Sequence, residues 1–327
     1  MKTFIIRRFL VLVPLFVVIS MFIFFIIQLP PGSYIDNYVL QLRAQGLDVS
    51  ESEIAAITRM YGLDLPLHQR YVRWFTNFLR GDLGYSLALR RPVAAVIRER
   101  IGFTVLISVL VLLFQWIISV PVGIYSAVRK YSVGDYIATF FGFIGLSIPN
   151  FMLALIIMFI GYRYFGVNLT GLFSVQMADA PWSWAKIVDM LSRIWVAVVV
   201  VGTSGTASFI RVLRAQMLDE LGKAYVQTAR AKGLRESIVI WKHTLRVAVN
   251  PVISTIGWIL PAIFSGEAIT SIVLGLPTLG PALLNAILVE DMYMAGSIIL
   301  IQTILVLIGT LISDIALAMV DPRIRYE

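Results

Sequence analysis

The residues best suited to chemistry form one block. A basic, polar segment, YVQTARAKGL at 225–234 followed by RESIVIWKHTLRVAVN up to 250, separates two long apolar runs. In a mostly lipid-compatible chain, so many charged helix formers are costly unless they lie outside the bilayer and touch something. Their types suit contact rather than catalysis. Small Ala229, Ala231 and Gly233 let a helix backbone approach a partner closely, and Gly233 can end the helix in a left-handed cap. Arg230, Lys232 and Arg235 can pair with acidic groups on such a partner. Ile238, Trp241, Leu245 and Val249 recur at helical spacing, which predicts a face turned back toward the apolar body. An ordinary basic loop, present only to orient the chain, fits the same composition.

Two acids inside apolar runs are the other candidates, because a charge in lipid costs several kcal/mol unless it faces protein or water. Glu267 follows Ser265 and Gly266. It reads either as a hydrogen-bonding group on a substrate path or as a structural partner for a hydroxyl or amine. Asp314, two turns before Asp321, reads as structural. Breaks in the apolar runs, at Pro121-Val122-Gly123, at Pro149-Asn150 and at Gly257 with Pro261 and Gly266, mark backbone that lines a cavity or tolerated kinks. Nothing here resembles a catalytic set. There is no cysteine, the only histidines are His68 and His243, and no GxxxxGK[ST] phosphate loop occurs, so the chain is not expected to bind a metal or hydrolyse ATP itself.

The elements that must position these residues are membrane spans. With 327 residues, 59% hydrophobic and 14% charged, and a mean hydropathy of +0.86, the chain is too apolar for an ordinary soluble fold. The formal charge of +8 flanks apolar runs instead of forming the basic face of a nucleic-acid-binding domain, so the expected surroundings are lipid, not nucleic acid. At roughly 20 apolar residues per crossing, runs at 9–29, 101–128, 136–165, 194–210, 251–274 and 294–320 predict an all-α, polytopic protein with six transmembrane helices. The first run ends in Gln28-Leu29-Pro30-Pro31-Gly32, which offers no cleavage site, and is read as a retained helix.

Basic residues of the short loops set the orientation. Lys2, Arg7 and Arg8, then Arg129 and Lys130, then eight between Arg211 and Arg246, and finally Arg323 and Arg325 fall on one side. Arg163, Lys186 and Arg193 are all that the opposite short loops hold. Both termini are therefore expected in the cytoplasm. In the external segment, Ser50-Glu51-Ser52-Glu53 has the spacing of a capping box. Beyond it Tyr71, Trp74, Phe75, Phe78 and Leu79 form a helical stripe opposed by Arg70, Arg73 and Arg80. That helix suits either the membrane interface or packing on the external ends of the spans. The expected organisation is residues 1–100, a first span plus this external segment, and 101–327, a five-helix core with a cytoplasmic loop at 216–250.

Five tags in order, YGLDLPLHQRYVRWFTNFLRGDLGYSL (61–87), GLSIPNF (145–151), YVQTARAKGL (225–234), GLPTLG (275–280) and DPRIRYE (321–327), give the chain a resemblance. Together they look like the first permease of the dipeptide, oligopeptide and nickel branch of ABC importers. The resemblance implies a type I importer permease fold. It also implies that the 225–250 segment is the cytoplasmic helix-turn-helix that docks in a cleft of an ATPase, with Tyr225, Thr228, Ala229, Arg230, Ala231, Lys232, Gly233 and Leu234 in the coupling contact. The broader Glu-Ala-Ala-x-x-x-Gly pattern is altered here, with Gln227 in place of the acid and Arg246 in place of a later proline.

The resemblance implies partners as well: a second homologous permease, two cytoplasmic ATPase subunits that carry ATP and Mg, and an external solute-binding protein. No cofactor is expected on this chain. Pro149, Asn150, Glu267 and Ser271 are expected along the translocation path; the commoner branch pattern places an acid where Ser271 stands. The branch handles peptides, nickel complexes and oligosaccharides, and the SGEAITSIVLGLPTLG stretch with PWSWAKIVDML at 181–191 resembles an oligosaccharide-handling sub-branch. The competing expectation is an ion-coupled carrier using Glu267 or Asp314 as its proton site, which would leave 225–250 without a purpose.

Overall fold

The computed structural model describes residues 2–29, 39, 50–62, 64–86, 88–256 and 268–320. Helices dominate. In chain order they are α1 (Lys2–Ile27), α2 (Glu51–Tyr61), α3 (Leu67–Leu79), α4 (Val93–Val128), α5 (Val133–Ser147), α6 (Asn150–Phe165) and α7 (Trp184–Leu221). Then follow α8 (Ala224–Ala231), α9 (Glu236–Ile238), a π-helix (Val239–Thr244), α10 (Leu245–Ala248), α11 (Asn250–Ser254), α12 (Ala268–Val273), α13 (Leu279–Leu288) and α14 (Met292–Val320). A two-residue ladder, Tyr85–Ser86 against Arg91–Pro92, precedes α4.

Among the described residues, four helices, Ile5–Ile27 of α1, α4, α7 and α14, are long and apolar enough to cross a membrane, and α5 with α6 can form one further, broken span. The apolar run at 136–165 is interrupted at the break that the sequence marks at Pro149-Asn150. Ile148 leaves the helix at φ −87° and ψ 120°, Pro149 cannot continue it, and α6 departs from α5 at 100°. Of the run at 251–274, residues 251–256 and 268–274 are described, and they carry most of α11 and all of α12.

The chain divides into two compact units, each discontinuous in sequence. One comprises Leu10–Gly102 and Pro281–Ile304. Its helix α2 begins as the sequence indicates: the Ser50 hydroxyl accepts the Glu53 amide at 3.3 Å, and the Glu53 carboxylate accepts the Ser50 amide at 3.0 Å. The aromatic stripe of α3 packs inward. Trp74 is buried with Ile23, Phe24, Ile27 and Leu300, flanked by Tyr71, Phe75 and Phe78. The Tyr71 ring lies edge-on to Phe24 at 5.5 Å, and its hydroxyl is 2.8 Å from that of Ser20. Of the two readings of this helix, packing on α1 and α14 is the one found, while Val72 and Leu79 stay exposed.

The other unit comprises Met1–Phe9, Phe103–Gly280 and Leu305–Glu327, and α7 runs through its middle. Ile194, Val196, Ala197, Val200 and Val201 of α7 are buried with Ile107 and Val111 of α4, Ala154 of α6, and Leu274. Small residues permit the close crossings. A Cβ on Gly202 would meet the Phe114 ring at 2.5 Å, one on Gly205 would overlap the Gln115 amide, and one on Gly145 of α5 would touch Thr203 at 3.0 Å.

Removing the α3 anchor tests its weight. Trp74→Ala should cost about 3 kcal/mol, near the lower end for a large buried aromatic. Leu79→Ala, on the exposed face, should stay within about 0.5 kcal/mol. Thermal unfolding of both variants in nanodiscs measures the contrast, and equal losses would contradict the packing described.

Candidate functional site

The basic block extends directly from the end of α7. After Gly222, helix α8 runs to Ala231 and stops where Gly233 takes φ +74°. The Gly233 amide donates to the Arg230 carbonyl at 2.9 Å and the Leu234 amide to the Ala229 carbonyl at 3.4 Å, the double bond pattern of a Schellman ending. The left-handed cap anticipated at Gly233 is present. The chain then reverses and returns through α9, the π-helix, α10 and α11, so the block is a helix-turn-helix.

Its inward face differs from the one the 3.6-residue spacing predicts. Trp241 is 57% exposed and Ile238 is 39% exposed, whereas Val239, Thr244, Ala248 and Val252 are essentially buried. The π-helix causes the shift. Thr244 donates its hydroxyl to the Val239 carbonyl five residues back at 3.1 Å, and this wider turn rotates the following face. Leu245 and Val249 do pack inward, against Ile124 and Ala127 of α4 and Leu213 and Met217 of α7.

Residues of the block divide into two sets. Ala229 and Val226 are buried with Val239, and Leu221 closes the cluster, so Ala229 brings the two arms of the hairpin together. Tyr225, Thr228, Ala231, Lys232, Gly233 and Leu234 are exposed. Arg230 has a partner within the block: its Nη2 and Nε donate to Glu236 at 2.6 and 3.1 Å across the turn. Those bonds raise the Arg230 pKa and hold the Glu236 carboxyl below its ordinary range. Burial, reinforced by a 2.6 Å hydrogen bond to Glu220, pushes the Tyr225 phenol up. Arg246, the departure from the broader pattern, donates to the Val320 carbonyl at 3.0 Å and so caps the end of α14.

The residues anticipated along a path separate as follows. Pro149 stands at the α5–α6 break, and the Asn150 amide donates to the Ser204 hydroxyl of α7 at 3.3 Å. Ser271 is buried on α12, and α12 packs on α6. Helix α6 is thus the common neighbour of α7 and α12. Glu267 lies outside the described residues. Asp314 pairs with Arg8 at 3.3 Å, the structural role expected of it. The GLPTLG tag is a turn: Gly275 takes φ +64° against Thr170, and the Gly171 amide donates to the Leu274 carbonyl at 2.7 Å. The tag at 321–327 lies outside the described residues.

One pair escaped the sequence reading. Asp135, 2% exposed near the start of α5, receives Arg214 of α7 through Nε at 2.9 Å and Nη2 at 2.8 Å. It also accepts the Tyr131 amide at 2.9 Å. This bidentate bridge ties the α4–α5 loop to the part of α7 that leads into the helix-turn-helix. The available signal was Ser132, three residues before an acid at the mouth of an apolar run, since Ser132 caps α5 through the Asp135 amide at 3.3 Å.

Comparison with known proteins accounts for this arrangement. Residues 119–326 match the family described as binding-protein-dependent transport system inner membrane component, and residues 1–110 match the N-terminal region of such membrane components. The chain belongs to this permease family. It is 34% identical to the oligopeptide transport system permease protein AppB of Bacillus subtilis (strain 168) over 327 residues, all of both chains. It is 29% identical to the dipeptide transport system permease protein DppB of Escherichia coli (strain K12) over 348 aligned positions, again all of both. A glutathione transport system permease protein, GsiC of Pectobacterium atrosepticum, is 30% identical over the full length of each. The resemblance read from the five tags is therefore correct: the protein is an ABC permease, a multi-pass component of the bacterial inner membrane and not itself an enzyme.

The bridge and the hairpin of this permease make separate predictions. Asp135→Asn should cost about 2 kcal/mol, less than the 3–5 kcal/mol of a fully buried pair because Arg214 keeps some exposure. Asp135→Asn with Arg214→Met should recover most of that loss in thermal unfolding. For Glu236 the folded pKa is depressed, so the contribution of its pair with Arg230 is complete above the ordinary value near 4.5 and is lost as pH falls through the depressed one. The pair is exposed, so the effect is about 0.5 kcal/mol. Protection factors of the 224–238 amides, with the intrinsic pH dependence of exchange removed, should fall on acidification in the native chain, and Glu236→Gln should abolish that dependence.

Proposed function

We propose that this permease is one of two homologous membrane subunits that form the translocation path of a binding-protein-dependent ABC importer for short peptides. The path is driven by two cytoplasmic ATPase subunits, which bind ATP and Mg, and is fed by an external solute-binding protein. In this reading six spans cross the membrane, both termini are cytoplasmic, and the fold is that of a type I importer permease. The four long apolar helices, the broken α5–α6 pair and the run at 251–274 supply those spans. Peptides are preferred over oligosaccharides or nickel complexes because the relatives aligned over full length are named for oligopeptides, dipeptides and glutathione.

The observation that carries the coupling role is the exposed edge of the helix-turn-helix. Tyr225 and Thr228 on α8 and Lys232 at its C-terminal cap recur at intervals of three and four, on a hairpin braced by its own Val226, Ala229 and Val239. An ATPase cleft meets that edge, while α7 and the Asp135–Arg214 bridge connect the hairpin to the spans. In the path, Pro149 and Asn150 at the break, Ser271 on α12 and Glu267 meet the substrate. A self-powered carrier has nothing comparable in its favour, since Asp314 is engaged by Arg8.

The test separates docking from folding. Ala231→Glu adds charge to the exposed edge and should abolish co-purification of the ATPases and peptide uptake, while the chain itself remains folded. Ala229→Glu buries a charge inside the hairpin and should destabilise the block, by several kcal/mol if the charge stays unpaired. A Cβ added at Gly233 would meet no atom within 4 Å, so the main penalty of Gly233→Leu is the positive φ, roughly 1–2 kcal/mol. If Ala231→Glu retains both ATPases and uptake, the coupling assignment fails.

A further inference from the structure

The unit comprising Leu10–Gly102 and Pro281–Ile304 encloses a cavity of about 420 Å³ that neither the coupling hairpin nor the broken span uses. Small-molecule sites occupy roughly 300–1,000 Å³. Arg70 and Arg73, one turn apart on α3, line it together with Trp74 and Phe78; Asp82 and Tyr293 complete it. Trp74 is buried while Arg73 and Asp82 are exposed, so an aromatic interior opens through a charged mouth.

The lining is held in place. Arg70 donates to the Gln28 side chain at 2.6 Å. The Asp82 carboxylate accepts the Gly84 amide at 3.0 Å, and Gly84, at φ +79°, lets the Tyr293 ring come so close that a Cβ would stand 2.7 Å from it. The Ser297 hydroxyl donates to the Leu83 carbonyl at 3.3 Å, fixing the same turn to α14.

We propose that this cavity binds a small zwitterion with an apolar side chain, of the free amino acid class. Two guanidinium groups one turn apart suit a carboxylate, which planar arginine forks bind with directed hydrogen bonds. Asp82 supplies the acceptor for an ammonium group, and Trp74 with Phe78 the surface for an apolar side chain. A carboxylate alone would leave Asp82 without use, and an apolar molecule alone would desolvate the arginines at a cost. The cavity shares no residue with those proposed for the translocation path, so its existence does not depend on the importer reading.

Isothermal titration of the full chain in nanodiscs with L-leucine, N-acetyl-L-leucine and L-leucinamide tests it. Leucine should bind saturably, and blocking either charged end should weaken binding about tenfold or more, the effect of one lost charged hydrogen bond. Arg73→Gln should weaken leucine binding similarly, and Asp82→Asn should erase the preference for leucine over its N-acetyl form. Asn77→Trp fills the same cavity from α3 without removing a charge, and should abolish binding while the melting temperature holds. The proposal is overturned if leucine gives no saturable heat at about 10 mM, beyond the weakest useful affinities. Equal binding of the three ligands, or binding undiminished in Asn77→Trp, overturns it too.

Discussion

Close approach along α7 is the constraint on which the unit around it depends. Lipid offers helices no hydrophobic reason to associate, so their contacts rest on packing and on the hydrogen bonds that close packing allows. Gly202 and Gly205 let α4 come against α7, and Gly145 does the same for α5. With the backbones that close, the Asn150–Ser204 bond and the Asp135–Arg214 bridge fall within reach. Larger residues at those glycines would separate the helices and strand the polar groups in an apolar setting, where each costs far more than in water.

The same helix supplies the connection to the helix-turn-helix hairpin. Helix α7 continues without a break into Leu221, whose side chain closes the small cluster of Val226, Ala229 and Val239. Displacement of the hairpin therefore acts on α7 through packed contacts at that cluster and on α4 and α7 through Ile124, Leu213 and Met217. The Asp135–Arg214 bridge adds a directed contact from α7 to the loop before α5. In physical terms the hairpin is the exposed end of a packed lever.

Local signals in the sequence were readable, and distant ones were not. The Ser50 capping box, the aromatic stripe of α3 and the ending at Gly233 each depend on residues a few positions apart, and each is found as the spacing indicates. Pro149 announced a break, but the 100° turn is set by what α5 and α6 pack on, which no local pattern encodes. The inward face of the returning arm was misread because a period of 3.6 was assumed, and the π-helix at Val239–Thr244 adds a residue to that turn. Arg214 and Asp135 stand 79 positions apart, so their pairing is a product of tertiary structure alone.

The division of the hairpin into a buried and an exposed set changes what its small residues mean. A pattern of Ala229, Ala231 and Gly233 suggests one surface on which a partner presses. Ala229 instead faces Val226 and Val239, so its smallness serves the closing of the hairpin on itself. Arg230, a natural rim contact, is already held by Glu236 and stiffens the turn. Arg246, standing where a broader pattern has proline, satisfies the end of α14 through Val320. Much of the apparent recognition motif therefore builds a rigid shape, and the side chains left outside it are Tyr225, Thr228, Ala231, Lys232 and Leu234. A hairpin braced in this way has little conformational freedom left to lose, since its turn and both arms are already fixed by its own contacts.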